Sequence, residues 1–546
     1  MKKLIPFYFL FLLSFVSTAQ ENVYFPPEFE KQEGLLLTWD YNDQRNPVTA
    51  AIAKAVQPSA KVWIVYYPGT APMDTNDIRN FLRDHGVPDE GVHLIPGWTE
   101  TLWIRDYGPM AGYSEETLPF SRIFMDAGYS AYGRPKDDSI PTQLANLWNI
   151  PVMNMPLEFE GGNVLLDGLG RGWGSTRIFS QNPGYSQSQV KAMMEDYFGL
   201  YDFMFLEKLN HSGGGIWCHV DMFMKILDSE TIMISEYPDF VPDHDLIESF
   251  VLTLQNTMNA HDRYYKTVRI PAPPKADGTW ATTQNDEMRT YTNSIIINDV
   301  IVIPSYNLPE YDSIARQVYA ESMPGYRLEM VDASVLTPLY GALHCIVKEV
   351  TKPQYLRIKH KKIAGMQPYQ QQWYIEANVD VNVTLDSSWI FYRHSPGEEF
   401  IKAGLYGGCP YYGAYIQNVQ PGDTVDYYLM AAYDGDVVTM PPSAPGGHYS
   451  FWFDPALNIA EMPYTKFNPE IFPNPSDGKF TLAGLLPGKE YELSVTDLSG
   501  KTIVNRMLNG SSASLDLSND LMPGIYLLHV KSGTDFSGRQ KLIIHQ

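Results

Sequence analysis

The stretch Asn293-Ser294-Ile295-Ile296-Ile297-Asn298-Asp299-Val300-Ile301-Val302-Ile303-Pro304 decides how the first 360 residues are read. Two short runs of β-branched residues flank Asn-Asp, a pair that accepts the tight turn of a hairpin. A helical segment follows, Leu308 to Met323. The same order recurs upstream. His219–Leu227 and Thr231–Tyr237 flank Asp228-Ser229-Glu230 and precede a helix over His244–His261. Asn163–Asp167 and Thr176–Ser180 flank a Gly-rich turn and precede a helix over Ser186–Phe198. Strand, strand, helix at intervals of roughly 55–75 residues is the mark of repeated units.

Nearer the N-terminus the same alternation continues. Gly34–Trp39 and Lys61–Tyr67 read as strands; Pro47–Val56 and Thr75–His85 read as helices, the latter with Ile78, Phe81 and Leu82 on one face. This is an α/β pattern. Near residue 360 helical periodicity stops. Short strands such as Trp373–Val379, Ser388–Arg393 and Asp426–Ala432 predict an all-β sandwich. From Pro463 a second β module follows. It opens on Phe472-Pro473-Asn474-Pro475-Ser476-Asp477-Gly478, turns at Asp497-Leu498-Ser499-Gly500-Lys501 and ends on Lys541–Ile544. At 546 residues, about three domains are expected: 20–360, 361–462 and 463–546.

Residues 1–19 read as a signal peptide: Lys2 and Lys3, an apolar run Ile5–Val16, then Ser17-Thr18-Ala19. The run is too short to span a bilayer. A net charge of −23 fits a soluble exported protein and disfavours a nucleic-acid partner, since no basic stripe is present. Three cysteines, Cys218, Cys345 and Cys409, leave at least one thiol free within a monomer, so disulfides are not the main staple.

Chemistry concentrates in five short segments. Cys345 lies in Leu343-His344-Cys345-Ile346, behind a Gly-Ala approach, and reads as the exposed start of a strand. A nucleophilic cysteine must be a thiolate, so its ordinary pKa of about 8.5 has to fall; a bound cation supplies that pull. His219-Val220-Asp221 on a strand sends His219 and Asp221 to one side, and Cys218 to the other, into packing. Ser212-Gly213-Gly214-Gly215 precedes them as a pocket-lining loop. Trp103-Ile104-Arg105-Asp106-Tyr107-Gly108-Pro109 ends a strand on a carboxylate that can grip a planar guanidinium, with Trp103 placed to stack on it. Glu158-Phe159-Glu160-Gly161-Gly162-Asn163 and Tyr291-Thr292-Asn293 add polar groups at strand starts. Singly, each is more often a cap, a turn or a salt bridge.

Taken in order, these five motifs resemble the agmatine deiminase and bacterial peptidylarginine deiminase family over residues 25–355. The resemblance implies a five-fold pseudo-symmetric α/β propeller (pentein), followed here by an Ig-like β sandwich. It implies Cys345 as nucleophile, His219 as general acid/base, Asp106 and Asp221 as guanidinium-binding carboxylates, Asn293 as a supporting residue and Trp103 as a substrate contact. It implies no cofactor and no metal; no calcium-loop pattern is present. The signal peptide and tails are similar to those of the secreted peptidylarginine branch, with arginine-containing peptides or proteins as substrate. The last module resembles the C-terminal sorting domain of type IX secretion, whose machinery becomes a partner. The secreted branch carries an Arg-Pro-Arg pair for a C-terminal carboxylate; here the match is Arg134-Pro135-Lys136, which keeps the charge but loses one planar fork. Two other readings stand: deimination of free agmatine or arginine, and an exported binding protein without activity.

Overall fold

The computed structural model describes residues 23–41, 44–68, 74–115, 120–129, 133–211, 219–381, 385–453, 470–483, 485, 490–497, 501–509, 513–532 and 536–545. The signal-peptide segment, Ser212–Gly215, Cys218 and Leu498–Gly500 lie outside them. The chain divides into two compact units, residues 1–453 and 454–546.

The Asn293 stretch folds as its pattern predicts. Ile295–Ile297 pairs antiparallel with Val300–Ser305, Ile297 opposite Val300. Asn298 sits in the left-handed region at φ 54°, which a tight two-residue connection requires and asparagine tolerates. Helix Pro309–Ser322 starts on proline and returns the chain to strand Arg327–Asp332, parallel to Val300–Ser305. Ile295, Ile296, Ile297, Val300, Ile301, Val302 and Ile303 are fully buried, so this sheet is covered on both faces. That is why its strands read as unbroken apolar runs instead of alternating ones.

The described residues form four more units of this kind. Met224–Asp228, Thr231–Glu236, helix His244–Gln255 and Lys266–Pro271 make one. Leu165–Leu166, Arg171–Ser175, helix Gln187–Phe198 and Asp202–Leu206 make another. Met110–Ser114, Ser121–Gly128, helix Ile140–Trp148 and Val152–Glu158 make a third. The last is assembled from both ends of the segment: Lys348–Thr351 pairs antiparallel with Gln32–Thr38, which continues through helix Asn46–Val56 to the parallel strand Lys61–Tyr66.

One hairpin differs from its expectation. The segment read as strand Thr176–Ser180 is mostly helix, Arg177–Gln181, and the strand lies in Arg171–Ser175, which reads as a Gly-rich turn. The glycines are there for contact. A Cβ on Gly172 would stand 2.7 Å from the Phe203 ring of the neighbouring strand.

Residues 357–453 form two further sheets around their own apolar cluster, including Ile375, Val379, Ile390, Tyr427, Leu429 and Phe451. Along Trp373–Asp380 burial alternates residue by residue, as one covered face demands. In the second unit, strands Glu470–Phe472, Lys479–Ala483 and Ala513–Asp516 make one sheet. Thr502–Asn509, Glu490–Thr496, Gly524–Ser532 and Phe536–Ile544 make the other. Phe480, Leu482, Tyr491, Leu493, Val495 and Leu528 fill the core between them. Among the described residues no helix is long and apolar enough to cross a membrane.

Candidate active site

Each repeated unit delivers a short polar segment immediately before its first strand. Four of these segments are single helical turns: Ile104–Tyr107, Gly161–Asn163, Val220–Met222 and His344–Ile346. The fifth is Tyr291–Ser294, ahead of Ile295–Ile297. This corrects the strand reading of the site segments. His219 and Asp221 do not share a face by strand alternation; a 3₁₀ turn carries Asp221 round while His219 remains extended ahead of it. Cys345 likewise sits inside a buried turn, not at an exposed strand edge. These turns nonetheless bring Asp106, His219, Asp221, Asn293 and Cys345 together.

His219 is held between two carboxylates. Its Nδ1 lies 3.5 Å from Asp106 Oδ1 and its Nε2 lies 3.2 Å from Glu160 Oε2. Glu160 is anchored in turn: Arg177 donates to both its oxygens, at 3.0 and 2.7 Å, and Gln181 donates at 2.7 Å. Burial works against a charged imidazole, but Asp106 and Glu160 outweigh it and raise His219 to about 9. Glu160 goes the other way: burial is overcome by His219 and Arg177, and its carboxyl stays below the usual carboxylate range. Asp106 is pushed up to about 6 by burial, with the charges of Glu160 and Asp221 adding and His219 opposing.

Gly162 explains how so many groups approach one point. A Cβ there would stand 2.8 Å from His219 Nδ1, 2.9 Å from Asp106 Oδ1 and 3.2 Å from Asp221 Oδ2. Any side chain would fill the place where these three groups converge.

Asn293 joins the other half of the site. Its Nδ2 donates to Asp221 Oδ2 at 3.0 Å, and its Oδ1 accepts from the His344 amide at 3.0 Å and from Cys345 Sγ at 3.5 Å. Asp221 Oδ2 also meets His344 Nδ1 at 2.7 Å, while Oδ1 has no hydrogen-bond partner among the described residues. Burial would raise the Asp221 carboxyl, but His344 holds it below its ordinary value. The Cys345 thiol is pushed well up by burial and by the negative charges of Asp221 and Asp106. An empty site therefore keeps the sulfur protonated, and a cation docked against those carboxylates reverses the field that keeps it so.

Asp106, Glu160, His219 and Cys345 open onto a cavity of about 420 Å³ that Trp103 and Arg134 also line, with Asp221 and Asn293 behind its wall. Arg134 borders it, as does Arg45, which pairs with Asp40. Lys136 is not among its lining residues; its ammonium lies over the Tyr67 ring, 5.0 Å from the centroid. Sequence reasoning noticed the Glu158–Asn163 segment without giving Glu160 a role. The signal was a carboxylate directly before Gly-Gly, the pair that lets backbone and neighbours close in.

The observation that decides the family is the match of residues 24–350 to the family model of Porphyromonas-type peptidyl-arginine deiminase. This chain belongs to that family. It is therefore a deiminase, a hydrolase acting on the C–N bonds of amidines. Residues 470–545 match the secretion system C-terminal sorting domain, here of type IX secretion, which indicates export to the surface or the medium. A relative from Shewanella sp. (strain MR-4), provisionally named an agmatine deiminase, is 24% identical over 362 residues, covering 61% of this chain and 95% of its own. The solved agmatine deiminase of Enterococcus faecalis superposes with a TM-score of 0.52 at 18% identity, covering 61% of this chain and 96% of its own. A provisionally named arginine deiminase from Porphyromonas gingivalis gives 0.52 at 20% identity, covering 61% and 98%. The deiminase part thus shares the fold of these enzymes.

Proposed function

We infer that this deiminase acts on peptidyl arginine, converting it to citrulline and ammonia through a covalent bond to Cys345. The observation that carries the reading is the convergence of Asp106, His219, Asp221 and Cys345 beside Gly162 and Asn293, with the first two and the cysteine on one cavity. Asp106 and Asp221 hold the guanidinium with its central carbon facing the sulfur. Docking this cation lowers the thiol's pKa, and its proton leaves for solvent. The thiolate forms the S–C bond. As the C–N bond breaks, the imidazolium of His219 gives its proton to the departing ammonia. Neutral His219 then takes a proton from water, the hydroxide adds to the same carbon, and the S–C bond breaks to leave the ureido product. Glu160 keeps His219 oriented throughout.

A peptide substrate is favoured over agmatine by the family matched, by the sorting domain and by Arg134 at the cavity, a cation suited to a terminal carboxylate. The five units, with the last strand closing on the first, fit a five-fold α/β propeller. The two sheets of 357–453 fit an Ig-like sandwich. Residues 1–19 as signal peptide, and boundaries at 360 and 462, complete the organisation. Cys345→Ala is the deciding variant: it should abolish ammonia release from arginyl peptides while the folded state persists. Turnover by pure Cys345→Ala at more than a trace of the parent rate would rule out the covalent route.

A further inference from the structure

Behind the catalytic turn lies a buried chain of charges that the mechanism above does not use. Glu28, from the segment ahead of the first core strand, reaches into the molecule. Its Oε1 accepts the Ile296 amide at 2.7 Å; its Oε2 stands 2.7 Å from Lys225 Nζ and 3.3 Å from His344 Nε2. The other nitrogen of His344 is the one that meets Asp221 at 2.7 Å. One imidazole therefore lies between two carboxylates, one of which faces the reacting centre. His344 is almost wholly buried, and the Lys225 side chain is fully so.

Glu28, His344 and Glu349 also come within 4.8 Å of one another, a spacing that could hold a metal ion. The cationic partners are already protein groups: Lys225 on Glu28, and Arg105 forked onto Glu349. Arg105 Nε also donates to the carbonyl of His344 at 3.2 Å, so the whole turn is clamped. Burial disfavours the Glu28 anion, yet Lys225 and then His344 hold its carboxyl below the usual range.

We propose that Glu28 is a positioning residue for the reaction: through His344 it fixes the Asp221 carboxylate and the turn that carries Cys345. The assignment rests on the Cys345 site reading given above. Without the Glu28 carboxylate, the far nitrogen of His344 loses the anion that faces it at 3.3 Å, and the ring is no longer drawn from both ends into one orientation. Asp221 then loses its fixed place opposite the sulfur, although Glu28 touches neither substrate nor thiol.

The test is the rate at which the full chain's Cys345 is alkylated by 2-chloroacetamidine, relative to 2-chloroacetamide. The first carries a planar cation and the second does not, so their ratio reads carboxylate placement without turnover. Glu28→Gln should lower the ratio about tenfold or more, the scale of one lost charged hydrogen bond, and kcat on arginyl peptide should fall further than KM rises. Glu28→Gln combined with His344→Asn should be no worse than His344→Asn alone, because one acts through the other. A folded Glu28→Gln with the parent ratio and kcat overturns the proposal, as do losses that multiply in the double variant. If Glu28→Gln does not fold, Glu28→Asp keeps the charge for Lys225 but is one methylene shorter. It should still lower the ratio, and a parent-like ratio there is equally fatal. Absence of any cation preference in the parent protein would instead sink the site reading, and this assignment with it.

Discussion

Asp106 and His219 face each other at 3.5 Å, with the carboxyl raised to about 6 and the imidazole raised to about 9. The order of these two values sets the working range. Asp106 must be ionised to hold a guanidinium, and His219 must carry its proton to release ammonia. Between about 6 and 9 both conditions hold. At saturating arginyl peptide, where the docked cation has already drawn off the thiol proton, kcat should therefore fall on the acid side as Asp106 is protonated and on the alkaline side as His219 loses its proton. A profile still climbing at pH 10 would contradict His219 as the proton donor.

Asp106 is also a site of paid-in instability. Its folded pKa lies above the ordinary 3.8, so the ionised form is the one that folding disfavours. The penalty is absent at acid pH and complete once the pH exceeds about 6. Asp106→Asn should lose activity yet melt several degrees higher at pH 8, for a gain of about 1–3 kcal/mol. The gain should vanish near pH 4. Thermal melts of both proteins at the two pH values decide it.

Chelation should leave the enzyme untouched. The one metal-capable cluster among the described residues, Glu28, His344 and Glu349, already has Lys225 and Arg105 as counter-charges. Assays in excess EDTA should match those without it. A loss restored by added calcium or zinc would reverse this.

Arg134 borders the cavity and Lys136 stands on Tyr67. Peptides ending in free arginine should be turned over faster than their C-terminal amides, about ten- to a hundred-fold in kcat/KM, if a charged hydrogen bond to the carboxylate is at stake. Arg134→Ala should erase most of that ratio, and Lys136→Ala should reduce it much less. Equal rates on acid and amide peptides would remove the carboxylate role of this loop.

Much of this was legible in the chain itself. Ile295–Ile297 and Val300–Ser305 lie where the pattern places them, because a sheet buried on both faces leaves a continuous apolar signature. Cys345, His219, Asp221, Asp106 and Asn293 were each visible as polar residues beside strands. What hid was local conformation: single turns of 3₁₀ helix are too short to leave a period, so they read as strand ends. Strand Arg171–Ser175 hid because its glycines answer to Phe203, a residue outside any local window. Glu28 left no signal, since its partners His344 and Lys225 lie hundreds of residues away.

The pairing of Lys348–Thr351 with Gln32–Thr38 has a consequence for timing. The nucleophile arrives on the last turn before that closing strand, while the strand it joins is among the first made. Bringing the two together spans some three hundred residues, the slowest kind of contact to form. A chain made only as far as residue 344 has Asp106, His219 and Asp221 but no sulfur to set opposite them. The site is thus completed only when the two ends of the deiminase segment meet, and a chain cut anywhere before Lys348 lacks the strand that seats its nucleophile.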